Sequence, residues 1–150
     1  MSNLKQQLYV QCREYIRSHE AEIRTAISEA QEAANEESKS SAGDKFETGR
    51  EVMQQEIDLN LTRLGEVNKL KEALEKIPFD ITSDTIQPGS VVKTSNGNYY
   101  LAIGAGKLNV DGSTYYSISP AAPIGTQLSG LKVGDQFNFN GKDYKIEWVS

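Results

Sequence analysis

The sequence predicts an α+β chain in which a long antiparallel two-helix coiled-coil hairpin precedes a small antiparallel β-rich domain with one short helix. Three observations carry that expectation. Apolar residues recur at helical spacing as far as Pro78, no proline precedes Pro78, and turn dipeptides containing glycine recur only after it.

The first helix follows from Leu4, Leu8, Cys12, Tyr15, Ile16, Ile23, Ile27, Ala30 and Ala34, whose steps are mostly three or four. Glu, Gln, Lys and Arg fill the positions between, in keeping with helix propensity. A second stripe runs through Phe46, Met53, Ile57, Leu61, Leu64, Val67, Leu70, Leu74 and Ile77. Pro78 ends it, because the ring removes a donor and restricts the residue before it. The stretch from Glu36 to Gly43 is small and polar with turn chemistry, so the expected hairpin tip lies near residues 36–45. A short connection sets neighbouring helices antiparallel, and each narrow stripe buries against the other. The same seam would also suit a dimerising coiled coil.

The expected organisation is a hairpin over residues 1–78, a linker over 79–88 and a β domain over 89–150. Three pairs of strand-like runs flank Asn96-Gly97, Asp111-Gly112 and Asn140-Gly141, dipeptides that accept the positive φ angles of type I′ turns. About six strands are expected, with a short helix around Gly125 to Ser129. Of the adjacent tyrosines Tyr99-Tyr100 and Tyr115-Tyr116, one of each pair should point to the core, since neighbouring strand residues face opposite ways. With no basic groove beside them, a single-strand stacking platform is not expected.

The 150 residues carry 21 acidic and 16 basic side chains, a formal net charge of -5 that argues against free DNA as a ligand. No apolar run approaches the roughly 20 residues that span a bilayer, and residues 1–11 do not read as an export signal. A soluble, cytoplasmic protein with no membrane partner is expected. Cys12 and His19 are single copies, which removes an internal disulfide and makes Cys/His catalysis improbable. They read as a seam residue and a helix-surface residue.

The candidate chemistry is Asp44-Lys45-Phe46-Glu47 at the start of the second helix. Carboxylates at i and i+3 share one helix face. They match a capping box, and they match half of a magnesium site, since Mg²⁺ is commonly held by one or two carboxylates plus oxygens from a partner. Lys39, Lys45 and Arg50 are candidate tip contacts to RNA or nucleotide phosphates.

The run Ile23-Arg24-Thr25-Ala26-Ile27-Ser28-Glu29-Ala30 followed by Gly43-Asp44-Lys45-Phe46-Glu47 resembles the hairpin of Gre transcript-cleavage factors, where a Gly-Asp-x-x-Glu motif opens the second helix. Ile118-Ser119-Pro120, Pro123-Ile124-Gly125 and Leu128-x-Gly130-Leu131-Lys132-x-Gly134-Asp135 are similar to the Gre C-terminal domain. The resemblance implies an FK506-binding-protein-like fold for that domain, with Ser119, Pro120, Pro123, Ile124 and Gly125 as polymerase-docking candidates. It implies an elongation factor that binds RNA polymerase, inserts its tip into the secondary channel and stimulates cleavage of backtracked RNA. Asp44 and Glu47 would hold the Mg²⁺ only in complex with the polymerase, contacting the RNA 3′ end indirectly. No catalytic site of its own is expected, so the chain would not be an enzyme.

Two departures bear on this. The tip continues Thr48-Gly49-Arg50-Glu51 where the family reads Asn-Ala-Glu-Tyr. The segment from Glu32 to Ser40 adds roughly nine residues, more than two turns if helical. Such an extension would suit a non-cleaving occupant of the channel, the nearest alternative, with an adaptor or dimer unrelated to polymerase as a third class.

Overall fold

The computed structural model describes residues 3–40, 44–78 and 80–150, with the side chains of 3, 37–40 and 44–48 outside the described set. Its elements are α1 (Asn3–Ser40), α2 (Asp44–Glu75), β1 (Val91–Thr94), β2 (Gly97–Leu101), β3 (Gly106–Val110), β4 (Ser113–Ile118), α3 (Pro123–Leu128), β5 (Gln136–Phe139) and β6 (Lys142–Val149). The α+β class holds. Helix α1 continues through residues 36–40, so most of the polar run expected as a turn is helical.

The chain divides into two compact units, Ile16–Lys71 and Met1–Tyr15 with Glu72–Ser150. The beginning of α1 and the end of α2 thus fall in the unit that holds the sheet.

In the helical unit, Glu20 of α1 meets Lys71 of α2 at 3.1 Å while only residues 41–43 separate the two helices. Positions remote from the turn on both helices thus meet each other, as antiparallel packing requires. Ile16, Ala30, Ile57 and Val67 are buried along the seam. One expected seam residue is displaced. Leu61 is 51% exposed, whereas Asn60 is 7% exposed. Steps of three, four and three from Ile57 reach Asn60, Leu64 and Val67, and that is the face the helix buries. Asn60 meets its polar requirement locally, with Nδ2 donating to the Glu56 carbonyl at 3.0 Å and Oδ1 accepting from Arg63 at 3.4 Å.

In the other unit, six strands form one sheet in the order β3-β4-β2-β1-β6-β5. All three expected hairpins form. The wholly antiparallel expectation needs correction, since β2 and β4 run parallel with Tyr99 opposite Tyr116 and Leu101 opposite Ile118. A turn dipeptide specifies the two strands it joins and leaves open which strand of one hairpin meets the next. Here β4 inserts beside β2 and pushes β3 to the edge.

The turn chemistry divides the same way. Asp111 and Gly112 have φ of 51° and 82°, and Asn140 and Gly141 have 52° and 80°, as type I′ turns demand. At the first hairpin only Gly97 is positive, at 117°, so Asn96 departs from that expectation. There Thr94 pairs with Gly97, so Ser95 and Asn96 form the loop and Gly97 is the first residue of β2. Asn96 N–H donates to Thr94 Oγ1 at 3.0 Å, Thr94 Oγ1 donates to the Gly97 carbonyl at 2.8 Å, and Asn96 Nδ2 donates to the Asp143 carbonyl at 2.7 Å.

Both faces of the sheet are covered at its central strands β1 and β2, while the outer strands alternate buried and exposed residues. Ile86, Val92, Tyr99, Leu101, Leu128, Tyr144 and Ile146 form one core cluster, with Ile118 and Ile124 packed against it. Adjacent Val91 and Tyr100 point the other way and are also fully buried. On that second face Cys12 Sγ lies 3.3 Å from Ser117 Oγ, and Ser117 Oγ donates to the Ile103 carbonyl at 2.6 Å. Burial pushes the Cys12 thiol above its usual range, and the Ser117 contact opposes this in part.

Tyr100 is fully buried, and its hydroxyl has no hydrogen-bond partner among the described residues. Burial, with Cys12 and Tyr9 adding to it, raises its pKa well above the ordinary 10.0. Tyr100→Phe removes an unsatisfied polar group and should stabilise the protein by about 1 kcal/mol in urea unfolding. The unfolded phenol ionises above pH 10.0 while the folded one keeps its proton, so the native state binds more protons there and stability falls as pH rises. Tyr100→Phe should flatten that alkaline decline, and a variant less stable than wild type at neutral pH would contradict the assignment.

Candidate functional site

Helix α2 begins at Asp44, so Asp44 and Glu47 both occupy its first turn. Their side chains, with those of Lys39 and Lys45, lie outside the described residues. Arg50, one turn further on, is exposed. At the start of α2 the backbone therefore brings two carboxylate-bearing positions three residues apart onto one helix face. The segment from Glu32 to Ser40 is helical throughout, about 13 Å of rise at 1.5 Å per residue.

One carboxylate further along this unit is paired with two cations. Glu20 accepts from Arg24 at 3.0 Å and from Lys71 at 3.1 Å, and these two hydrogen bonds hold its carboxyl below the ordinary carboxylate range. Among the described residues no three His, Cys, Asp or Glu side chains are grouped closely enough to hold a metal ion. Cys12 is buried and His19 sits on the exposed side of α1.

The docking candidates separate into two kinds. Ser119 Oγ accepts from Ala121 N–H at 3.1 Å and the Ser119 carbonyl accepts from Ala122 N–H at 3.0 Å, closing a tight turn before α3. Pro123 opens α3, where the missing N–H costs nothing. Ser119 and Pro120 are half-buried and Pro123 is exposed, so these three reach solvent. Ile124 packs against the core cluster, and Gly125 is buried with its carbonyl accepting from Ser129 Oγ at 2.9 Å. A Cβ on Gly125 would lie 2.3 Å from the Ser119 carbonyl oxygen. Ile124 and Gly125 are thus used by the fold.

The following motif is also structural. Gly130 and Gly134 take φ of 87° and 97°. Gly130 N–H donates to the Ile86 carbonyl and Ile86 N–H to the Leu131 carbonyl, both at 2.8 Å, and Asp135 Oδ2 accepts from Lys132 N–H at 2.9 Å. Leu128 is fully buried.

Several features escaped sequence reasoning. Tyr116, Tyr99, Tyr144 and Phe137 form an aromatic row with successive ring centroids 5.9, 6.5 and 4.9 Å apart. Both members of the Tyr99-Tyr100 pair are buried, against the expectation of one, because the central strand β2 is covered on both sides. In the other pair Tyr115 is buried and Tyr116 is 38% exposed. The β1–β6 register shifts between Lys93 and Thr94, which oppose Trp148 and Ile146. This bulge sets Lys93 Nζ 4.9 Å from the Trp148 ring centroid. No signal in the sequence marks the bulge.

Among the described residues no helix is long and apolar enough to cross a membrane. No model of a known protein family matches the chain, and no curated protein matches it.

Gly125→Ala places a methyl group against backbone that cannot swing away, and overpacking of this kind costs about 1–3 kcal/mol. The expected result is a lower urea midpoint with an unchanged m-value; a midpoint equal to wild type would show that the Ser119 turn can yield.

Proposed function

We propose that the chain is an RNA polymerase-binding factor of the Gre kind, which places the α1–α2 turn in the secondary channel and stimulates cleavage of backtracked RNA. The observation that carries this reading is the start of α2 at Asp44, four residues after the end of α1, with Glu47 three residues on. In support, the Ser-Pro and Pro-Ile-Gly residues have distinct structural roles around α3, with Ser119, Pro120 and Pro123 left to meet a partner. On the same reading the six-stranded sheet with α3 is an FK506-binding-protein-like domain, and the protein acts in the cytoplasm.

The donor set fits a magnesium half-site. Two carboxylates on one helix turn can supply two of the six oxygens the ion prefers, leaving the rest to water, phosphate and polymerase carboxylates. Asp44 and Glu47 would hold the ion, which when bound supplies charge stabilisation for hydrolysis of a phosphodiester. This chain's own part is to position those two carboxylates, and the catalytic centre belongs to the polymerase. A second reading, occupancy of the channel without cleavage, draws on the helical extension over residues 32–40, which changes how far the turn can reach.

Purified protein added to a backtracked elongation complex with Mg²⁺ should accelerate RNA shortening. Loss of even a supporting partner of a metal ligand costs about 10–100-fold, so Glu47→Ala should lower the stimulation by at least as much. Asp44→Asn separates the two roles of that side chain, because asparagine caps a helix as well as aspartate does. It should abolish stimulation while leaving thermal unfolding unchanged. Binding without shortening would establish the channel occupant, and no binding would sink the polymerase reading altogether.

A further inference from the structure

Strand β3 closes the sheet at one edge and pairs only with β4. An edge strand turns the N–H and C=O of alternate residues away from the sheet, where another strand can pair with them. At Asn109 both outward groups are taken by one side chain. Gln11 Nε2 donates to the Asn109 carbonyl at 2.7 Å, and Asn109 N–H donates to Gln11 Oε1 at 3.3 Å. A carboxamide carries a donor and an acceptor side by side, so it reproduces the pair of bonds that one residue of an antiparallel strand would make. The Asn109 side chain is engaged separately, its Oδ1 accepting from Thr114 Oγ1 at 3.0 Å. On the same stretch of α1, Val10 is 42% exposed and lines a shallow groove with Gln6, Gln7 and Gln11.

We propose that the Gln11 carboxamide is a one-rung surrogate strand that keeps β3 from pairing with β3 of a second copy of this chain. The register of β3 accommodates that occupant. With the two-residue period, Lys107 turns its backbone groups the same way as Asn109. Antiparallel pairing about a two-fold axis at Leu108 then sets Asn109 of each copy opposite Lys107 of the other. Both outward residues of each strand exchange N–H···O bonds, the two lysines do not face each other, and the contact closes on itself. Lys107 adds a charge of the kind that discourages edge pairing, and Gln11 occupies the rung beside it. The opposite edge, β5, is only four residues long and gives a poorer template.

Sedimentation velocity over a concentration series tests this with Gln11→Ala and Gln11→Leu, both compatible with helix. Each variant should double its apparent mass at concentrations where the wild type stays monomeric. In dilute samples the Asn109 amide should exchange about two- to tenfold faster, the range equivalent to one net hydrogen bond. Asn109→Pro, which removes the outward N–H, should return Gln11→Ala to the monomer. The proposal is overturned if both folded variants sediment as wild type at every concentration, if the wild type is equally associated, or if association survives Asn109→Pro. Unchanged exchange at Asn109 would equally overturn it. Gln11→Glu, which keeps the acceptor and loses the donor, should behave as the alanine variant does.

Discussion

Burial of the two central strands, β1 and β2, on both faces is the constraint from which most of the second unit follows. Val91 and Val92 are adjacent on β1 and point opposite ways, yet neither is exposed, and Tyr99 and Tyr100 on β2 repeat the pattern. One face takes Leu128 and Ile124 from the α3 region. The other approaches α1, where Cys12 reaches Ser117 and Gln11 reaches Asn109. A sheet of six short strands has too little apolar surface on one face to stand alone, so the first 15 residues and the end of α2 are part of its unit.

Double burial makes every polar group inside it a hydrogen-bonding problem, and most are solved by short local contacts. Ser90 Oγ accepts from Gln87 N–H at 3.0 Å, while Thr94 Oγ1 serves Asn96 and Gly97 together. Lys5 is the extreme case, with only 4% exposure and its ammonium donating to the Ile81 carbonyl. Burial lowers its pKa from 10.5, since the charged form is the one penalised. That contact ties the chain after α2 back to the first turn of α1. Gly89 completes the return, since a Cβ there would meet the Pro78 carbonyl oxygen at 2.3 Å and its φ is 93°. Tyr100 is the one buried side chain among the described residues left without a partner.

This explains which parts of the molecule were legible in the sequence. Helices announce themselves through periodicity, and Leu8, Cys12, Ile16, Ile57, Val67 and Leu74 are all buried as their spacing indicates. Hairpins announce themselves through Asp-Gly and Asn-Gly, each of which needs a backbone conformation few other residues accept. Three things stay silent. The order of hairpins in the sheet depends on which edges meet, as with β4 against β2. A seam position such as Asn60 in place of Leu61 depends on a phase difference of one residue. The bulge that turns Trp148 toward Lys93 depends on a mismatch between two strands distant in sequence. Of the candidate site, the place of Asp44 and Glu47 on one helix turn was legible, because turn and helix signals adjoin there.

The residues that resemble a known family do not all carry the same weight once their structural duties are separated. Gly125, Ile124, Leu128, Gly130 and Gly134 are required by close approach, burial or positive φ, and any chain with this fold would need similar residues there. Their presence speaks for architecture. Ser119 is intermediate, because its oxygens close a turn while part of it remains accessible. The helical segment over residues 32–40 stands apart from all of these. Its apolar residues are Ala33 and Ala34, both half-buried and Ala34 the last member of the α1 stripe, and serine at 38 and 40 gives it no exceptional helix propensity.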